Sequence, residues 1–453
     1  MLPMEAGPSS DEEETVVLSD WKMEEEEEEE ETDVFTDWAM EEAAVFPDWA
    51  MLDRMGRTRC HKDLDAARLV VSKNKTAARL RIDRGCSCYV SFTLAAPQGV
   101  SYLNLHWPVG EGSDAVYALL RATDKDLVLF DIYDPSRLPY LRAPAALFVY
   151  TAAGPSPSVQ RLPMYAKDRK WRHFLKGKFT TGILRLPEKR FIVADLCVLD
   201  GALSSEAKDW KLPNQWSTDD ALAFDGRFLC WVDYFSGVLL SDFSSTIGSP
   251  TLHFVPFPGE KEYPAEVRVP REFPGRFRNV SISQGKMRFV HIDNDFHETI
   301  EDDWPWRQLP ERRSQGRQHQ GSQKITIWTL NSDKFKWEQH GVINLDCLWA
   351  QRGYEALGIR QRLPEFPIVS VEDPDVLCCL LREEEFNGKG WMIMVDMKHA
   401  YMRSCTPYIN RHSYCAKCAD VGCAECVDAR NDFPNTLLLP TVFSKHLERP
   451  TGS

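Results

Sequence analysis

The stretch that most constrains the fold is residues 221–258, where four short apolar segments alternate with turn residues. Asp225-Gly226 is a pair that readily adopts the positive φ angles of a tight hairpin. The second segment, Arg227 to Tyr234, is predicted as a strand, and five of the six side chains at residues 228–233 are apolar, so both faces of the strand are largely apolar. Four antiparallel strands of this kind need a neighbouring sheet on each side, which one blade of a β-propeller has.

The rest of the chain has the same spacing of short strands and turns. This pattern predicts an all-β, β-propeller-like domain with about six or seven four-stranded blades. The last strand, Thr436–Leu439, is expected to pair with the first strands and close the ring, which removes exposed edges. Early strands are predicted at residues 68–72, 78–83, 88–94 and 102–107.

Four sequence motifs carry resemblances to known families. The segment FDGRFLCWVDYFSGVLLSDF, followed by LHFVPFP, resembles the core signature of the plant domain of unknown function 1618, a family abundant in grasses. FPDWAMLD near the start and FSKHL near the end are similar to the usual limits of such chains, and the core signature spans residues 166–330. ITIWTLN with FKWEQHGVINL resembles a blade of F-box-associated propellers. The resemblance implies a fold and a plant source but no catalytic residues, because the family has no established activity.

Charge is distributed very unevenly. The net charge is −14, but residues 1–50 contain 19 acidic residues and one basic residue, which leaves 53 basic and 49 acidic residues in the remainder. The remainder is thus close to neutral, which predicts no general nucleic-acid footprint. The run Glu24 to Glu31 repels itself, so residues 1–44 are expected to form a disordered leader before a domain at residues 45–453.

The acidic leader contains a short repeat. VFTDWAM at residues 34–40 recurs as VFPDWAM at residues 45–51. One hypothesis is that these Phe, Trp and Met side chains recruit a partner, as in a transcriptional co-regulator. The alternative is a duplicated coding segment in a solvated tail without function.

The chain shows neither a secretory signal at its start nor an apolar run that could span a bilayer. Thirteen cysteines in such a chain indicate reduced thiols in the cytoplasm or nucleus, where metal binding is more common than disulfides.

A cysteine cluster near the C-terminus predicts a structural zinc site. Two C-x-x-C pairs can supply four thiolates to a tetrahedral ion, although only four residues separate them. His412 and Cys405 are alternative ligands, and the other interpretation is a hairpin insertion, residues 402–432, with free thiols. The predicted ligands are Cys415, Cys418, Cys423 and Cys426.

Other candidate sites have weaker signals. His291, Asp293 and His297 could hold a transition metal, but a strand end running into a turn explains their spacing better. Residues 294–323 are strongly polar and predict a mobile loop. Cys60-His61 has no sequence cue for a partner base, and the chain contains no phosphate-binding loop or nucleophile elbow.

These observations favour a monomeric, non-catalytic protein that binds an unknown protein partner through propeller loops. The alternatives are a transcriptional co-regulator acting through the leader, and a propeller-type enzyme. The enzyme would require acid, base or metal groups that converge at the centre of the fold.

Overall fold

A computed structural model of the chain describes residues 46–83, 86–108, 116–133, 147–163, 180–196, 216–244, 251–259, 274–293, 323–355, 362–382, 390–408 and 438–447. All of them belong to one compact unit, Val45–Ser453. This part of the chain is predominantly β, so the all-β prediction is confirmed. The predicted leader, residues 1–44, lies outside the described residues.

The first sheet brings together strands from the two ends of the unit. Its strands follow the order β24-β1-β5-β4-β3, and β2 pairs with the far end of β5. Both β1 and β2 are parallel to β5, whereas β24 is antiparallel to β1. The predicted pairing of the last strand with the first ones is confirmed. The bounds are β1 Ala50–Asp53, β2 Arg57–His61, β3 Ala78–Asp83, β4 Cys86–Thr93, β5 Val100–Pro108 and β24 Leu438–Thr441.

Five further sheets follow in chain order, and four of them are four-stranded antiparallel meanders. The second sheet contains β6 Tyr117–Asp124, β7 Leu127–Tyr133, β8 Leu147–Thr151 and β9 Ser158–Arg161. The third has two described strands, β10 Thr181–Arg185 and β11 Phe191–Asp195. The fourth contains β12 Asp220–Phe224, β13 Phe228–Asp233, β14 Gly237–Asp242 and β15 Thr251–Pro256. The fifth contains β16 Arg278–Ser283, β17 Lys286–Ile292, β18 Lys324–Asn331 and β19 Lys336–Asn344. The sixth contains β20 Glu365–Val369, β21 Val376–Arg382, β22 Gly390–Asp396 and β23 Tyr401–Tyr408.

Each sheet shares an apolar cluster with the next, and the sixth shares one with the first. Burial of these side chains on both faces of each sheet supplies the main driving force for folding. One side chain from each of the two sheets represents each cluster. From the contact of the first and second sheets to that of the sixth and first, the pairs are Leu105 and Phe130, Leu129 and Ile183, Leu184 and Leu229, Val232 and Phe289, Ile327 and Leu377, and Ile368 and Met51.

The fourth sheet agrees closely with the prediction. Asp225 and Gly226 have φ angles of 53° and 63°, as a tight hairpin turn requires. The even-numbered side chains of β13 belong to the cluster shared with the fifth sheet, whereas Leu229 and Trp231 belong to the cluster shared with the third. The strict alternation along β13 therefore joins three sheets.

The strand predicted at residues 68–72 is wrong, because helix α1 (Leu64–Val71) occupies this segment. The Asp63 carboxylate accepts a hydrogen bond from the Ala66 amide at 2.8 Å and caps the helix. Helix α1 connects β2 to β3, which run parallel in one sheet, and parallel strands need such a crossover. It packs against β2, β4 and β5.

The remaining helical segments are short, and strand β23 overlaps the predicted cysteine-rich insertion. Helices α2 (Leu345–Trp349) and α3 (Arg352–Glu355) follow the fifth sheet, and two 3-10 turns cover Pro274–Arg276 and Phe443–His446. Strand β23 includes the first seven residues of the predicted insertion, residues 402–432. The other residues of that insertion lie outside the described part of the chain.

Candidate functional site

The predicted zinc ligands and the alternative ligand His412 lie outside the described residues. Cys405 is half-buried in β23, and burial raises the pKa of its thiol. Among the described residues, no three His, Cys, Asp or Glu side chains come together in a way that could hold a metal ion. The zinc site at Cys415, Cys418, Cys423 and Cys426 thus stays a prediction from the sequence.

The second predicted metal site is described only in part. His291 is the penultimate residue of β17, and its Nε2 atom lies 3.6 Å from Oδ1 of Asp293. His297 lies outside the described residues, as do residues 294–322 of the predicted mobile loop, residues 294–323. A strand end with one neighbouring carboxylate agrees with the turn interpretation.

Charged side chains converge beside the first strands of several sheets, where they form ion pairs with one another. Arg54, just after β1, lies 2.6 Å from Asp220 of β12 and donates to the Arg121 carbonyl of β6 at 2.7 Å. Arg121 in turn pairs with Asp131 of β7 at 2.5 Å. Arg54 thereby joins the first, second and fourth sheets. Mutual pairing offsets the cost of burying these charges and explains why they are tolerated there.

Asp53 lies at the end of β1 and is 2% exposed. Its Oδ1 atom accepts a hydrogen bond from the Met55 amide at 2.9 Å. Burial raises the pKa of this carboxyl to about 7, against the lowering effects of the Met55 amide and Arg57. Arg57 stacks 3.3 Å above the ring of Tyr102, whose pKa burial raises to about 12.

The buried cysteines have the properties of core residues. Burial raises the thiol pKa of Cys230, Cys378 and Cys379, so these thiols stay protonated at neutral pH. A protonated thiol is a poor nucleophile, and each of the three belongs to an apolar cluster.

One face of the first sheet is apolar, whereas the opposite face is apolar near β1, where Met51 packs against the sixth sheet, and polar over β2, β3, β4 and β5. The side chains of the first face belong to the cluster shared with the second sheet. On the opposite face, the strand register aligns one row of side chains across β3, β4, β5 and β2. Directly paired residues share a face, so the four members of the row are neighbours in turn. The row consists of Arg79, Tyr89, His106 and Arg59.

A hydrogen-bonded chain crosses this polar face. His106 Nε2 lies 2.9 Å from the Ser91 hydroxyl, and its Nδ1 lies 3.0 Å from Nε2 of His61. Burial lowers the pKa of His106 to about 4, with His61 and Arg59 adding to the effect. The pKa of His61 is lowered as well, first by burial and then by Arg59. His61 thus has the partner that its sequence did not reveal.

Burial limits the chemistry of the hydrogen-bonded residues Ser91, His106 and His61. Ser91 is 2% exposed, so its hydroxyl cannot reach a substrate in solution. The electrostatic neighbours of His106 are His61 and Arg59, which disfavour the imidazolium that a general base must form. The hydrogen bonds from Ser91 through His106 therefore fix the orientation of the His61 ring at the surface.

Helix α1 covers the inner part of the polar face and presents apolar side chains outward. Ala67 and Val71 point inward, whereas Leu69 and Val70 are 76% and 56% exposed. These are the two most exposed large hydrophobic side chains in the described part of the chain. Neighbouring apolar side chains on an exposed helix indicate an interaction site.

The segment that carries this exposed pair is rich in basic residues. Residues 57–81 contain eight basic and two acidic residues, so the small positive charge of the domain is concentrated in this segment. The near-neutral net charge of the whole domain thus includes a local excess of positive charge in this segment. Seven of the basic side chains are exposed, namely Arg59, Lys62, Arg68, Lys73, Lys75, Arg79 and Arg81. We call these seven residues the basic rim.

Sequence reasoning missed this surface, although one signal was available. The basic residues come from β2, α1 and β3, and the wrong secondary structure at residues 68–72 separated Leu69 from Val70 on opposite faces of a strand. A charge count over short windows would have located the positive segment.

No helix in the described part of the chain is long and apolar enough to cross a membrane.

Comparison with known proteins adds one finding. No curated protein matches the sequence. Residues 231–378 match a family model described as "Protein of unknown function (DUF1618)". The match overlaps the predicted core, residues 166–330, from Trp231 onward and extends into β21. It covers about a third of the chain, from the fourth sheet into the sixth, and supports the assignment of this protein to the DUF1618 family.

Proposed function

We propose that the domain is a six-bladed β-propeller that binds a partner protein and performs no catalysis. Three observations support the architecture: six sheets follow in chain order, consecutive sheets share apolar clusters, and the sixth shares one with the first. The pairing of β24 with β1 is the kind of closure that joins the ends of a propeller. A crystal structure with another number of blades would contradict this part of the proposal.

The binding role rests on one observation, the exposure of Leu69 and Val70 on α1. Exposing two adjacent branched side chains to solvent on a short helix is unfavourable, and the fold itself does not explain why these positions are apolar. Helix α1 lies in the connection between β2 and β3, so it belongs to the loops through which propellers bind partners.

A catalytic role has less support. The charges near the first strands pair with one another, as Arg54 does with Asp220 and Arg121 with Asp131. Ser91 is buried, and the histidine chain next to it lies between cations. A propeller-type enzyme would instead need a convergent acid and base that reach a substrate.

Several finer parts of the proposal rest on sequence alone. They are a source in a grass, a relationship to F-box-associated propellers, a place in the cytoplasm or nucleus, a monomeric state and one structural zinc. Elemental analysis of the purified protein tests the zinc. About one zinc per chain, lost when the four cysteines at positions 415, 418, 423 and 426 become serine, is the expected result.

The test of the binding role uses matched surface variants. The double variant Leu69→Ser/Val70→Ser removes the exposed pair, and Val342→Ser removes another exposed aliphatic side chain, on β19. Tagged wild-type protein and both variants are used for quantitative affinity capture from plant cells, followed by binding assays with each purified candidate. We expect a partner that binds wild type and Val342→Ser but loses most of its affinity for the double variant. Equal binding to all three proteins would refute the role of α1.

The co-regulator hypothesis has its own test. A reporter fusion of residues 1–50 should activate transcription if the Phe, Trp and Met side chains of the leader recruit machinery. Activation that disappears when Phe35 and Trp38 become alanine would favour this alternative. Trp49, in the second copy of the repeat, is buried between the first and sixth sheets, so it is not available to a partner in the folded domain.

A further inference from the structure

We infer that α1 and the basic rim together recognise an acidic, extended segment of a partner protein, with an apolar side chain of that segment packing on Leu69 and Val70. This inference rests on the proposed binding function and names the chemistry of the partner.

The composition of the surface gives the first argument. Its exposed apolar centre is flanked by seven exposed cations, whereas residues 57–81 contain only two acidic residues, Asp63 and Asp65. The Asp63 carboxylate already accepts the helix-capping hydrogen bond from Ala66. A positive rim around an apolar centre is complementary to a segment with acidic and apolar residues.

The position of the rim gives the second argument. The strand register aligns Arg79 with Tyr89, His106 and Arg59, so two cations mark the ends of one row across four strands. Arg81 lies two residues after Arg79 and is therefore on the same face of β3. His61 is likewise on the face of β2 that carries Arg59. Helix α1 starts directly after β2 and packs over β5 and β4, which lie between these two basic ends.

The row also predicts the spacing of the ligand charges. Neighbouring strands are about 4.8 Å apart, so three spacings place the backbones that carry Arg79 and Arg59 about 14 Å apart. An extended peptide rises about 3.4 Å per residue, which corresponds to about four residues over that distance. Because α1 packs over the strands between these two ends, a segment that also contacts Leu69 and Val70 must pass over the helix. Four residues is therefore the shortest spacing of acidic side chains, with an apolar residue between them, that fits both ends.

Arginine suits the proposed ligand. Its planar guanidinium donates two parallel hydrogen bonds to a carboxylate or phosphate. The shared chemistry is therefore an oxyanion, supplied by Asp and Glu or by a phosphorylated side chain. The Tyr89 and His61 side chains, both half-buried on the same face, add polar groups between the cations.

A protein ligand explains the surface better than a nucleic acid does. Sugar–phosphate backbones are bound through cations and polar groups, and base edges are read mainly through hydrogen bonds, so an exposed aliphatic pair suits a protein ligand better. A nucleic-acid ligand would leave Leu69 and Val70 exposed in the complex.

The test uses fluorescence anisotropy with the full-length protein and defined probes. The first probe is a labelled peptide of about ten residues with glutamates four residues apart around a leucine, a spacing taken from the strand separation. A second carries phosphoserine at one acidic position, a third has lysine for every glutamate, and a fourth is a short DNA duplex. We expect binding of the acidic peptide that weakens as salt is raised, and no binding of the lysine peptide.

Matched charge variants identify the surface. The rim variant carries Arg59→Glu, Arg79→Glu and Arg81→Glu, and the control carries the same change at Lys286, Lys324 and Lys336, which are exposed on the fifth sheet. Affinity should fall by about tenfold or more in the rim variant and by less than about twofold in the control. A milder set, Arg→Gln at the same three rim positions, should give an intermediate loss. Unchanged thermal unfolding would show that all variants are folded.

The possible outcomes separate this inference from the proposed function. Equal affinity of rim and control variants for the acidic peptide, or tighter binding of DNA than of the peptide, would overturn the inference. A captured partner that depends on Leu69 and Val70 but not on the rim would preserve the proposed function alone. Tighter binding of the phosphoserine peptide would assign the oxyanion to phosphate, and equal binding would assign it to carboxylates.

Discussion

The fourth sheet and the first sheet show two different relations between sequence and structure. The fourth is a meander whose four strands follow one another and whose two faces are both buried against neighbouring sheets. The first combines strands from both ends of the unit, contains a helical crossover and keeps part of one face polar. The strands of the fourth sheet pair locally and contribute mainly to stability. The first sheet, whose strands come from distant parts of the sequence, carries the surface that we propose binds a partner.

The largest effect is expected at the ion pair that joins these two sheets. Asp220→Ala leaves the buried Arg54 guanidinium without its carboxylate, so the free energy of unfolding should fall by about 3–5 kcal/mol. Guanidinium unfolding followed by tryptophan fluorescence measures this change. Arg190→Ala, which removes one partner of the exposed Arg190–Glu188 pair, should cost less than about 1 kcal/mol. Equal losses of unfolding free energy in the two variants would mean that the buried Arg54–Asp220 pair contributes no more to stability than an exposed ion pair does.

The second prediction concerns pH and the first sheet. Burial raises the pKa of Asp53 to about 7 in the folded protein, from 3.8 without burial, so its stabilising contribution is complete below about pH 4 and disappears as pH rises through 7. Asp53→Asn should abolish this dependence and exceed wild type in stability above pH 7. The gain is at most about 4 kcal/mol, since one pKa unit corresponds to about 1.4 kcal/mol.

Unfolding free energies of wild type and Asp53→Asn at several pH values between 4 and 8 provide the measurement. The difference between the two proteins should grow steadily toward high pH. A constant difference would show that Asp53 titrates at its ordinary pKa in the folded protein.

The third prediction compares the same substitution in the two sheets. Leu229→Ala on β13 empties a site that is fully buried between the third and fourth sheets, where Gly182 already approaches closely. It should reduce the free energy of unfolding by about 3 kcal/mol. Leu69→Ala on α1 removes the same atoms from an exposed position and should change stability by less than about 0.5 kcal/mol.

Denaturant unfolding of both leucine variants decides the point, and partner binding is measured in parallel. The expected pattern is reciprocal: the β13 variant loses stability, and the α1 variant loses binding. A strongly destabilised Leu69→Ala protein would show that this side chain is buried in solution and would remove the basis of the proposed surface.

The smallest effect is expected at the helix cap. Asp63→Ala removes the hydrogen bond to the Ala66 amide and should destabilise α1 by about 1 kcal/mol. Faster amide hydrogen exchange confined to residues 64–71 would report this local change. Asp65→Ala, in the first turn, is the control and should have a smaller effect because Asp65 makes only a helix-dipole interaction.

Residue patterns predicted the fourth sheet because its information is local. The turn at Asp225-Gly226 and the alternation along residues 228–233 determine strand limits and faces without reference to distant parts of the chain. The same reasoning failed at residues 68–72, where a run of Leu and Val suggested a strand. The Asp63 cap and the need for a crossover between two parallel strands outweighed strand propensity there.

The candidate surface was harder to predict than the fold. Arg59 and Arg79 lie 20 residues apart in sequence and are aligned only through the pairing of four strands. His61 and His106 likewise become partners only when β2 pairs with β5. Strand order in the first sheet is a non-local property, so no short motif could have predicted either relation.

The pairing of β24 with β1 has a consequence for synthesis of the protein. Strand β1 is translated well before its partner Leu438–Thr441, because most of the unit lies between them in sequence. At about 5–20 residues per second, the intervening segment takes about 20–80 s to translate. During this interval one edge of β1 lacks its partner, and an unpaired strand edge can pair with other chains and promote aggregation. Truncation before residue 438 would make that transient state permanent.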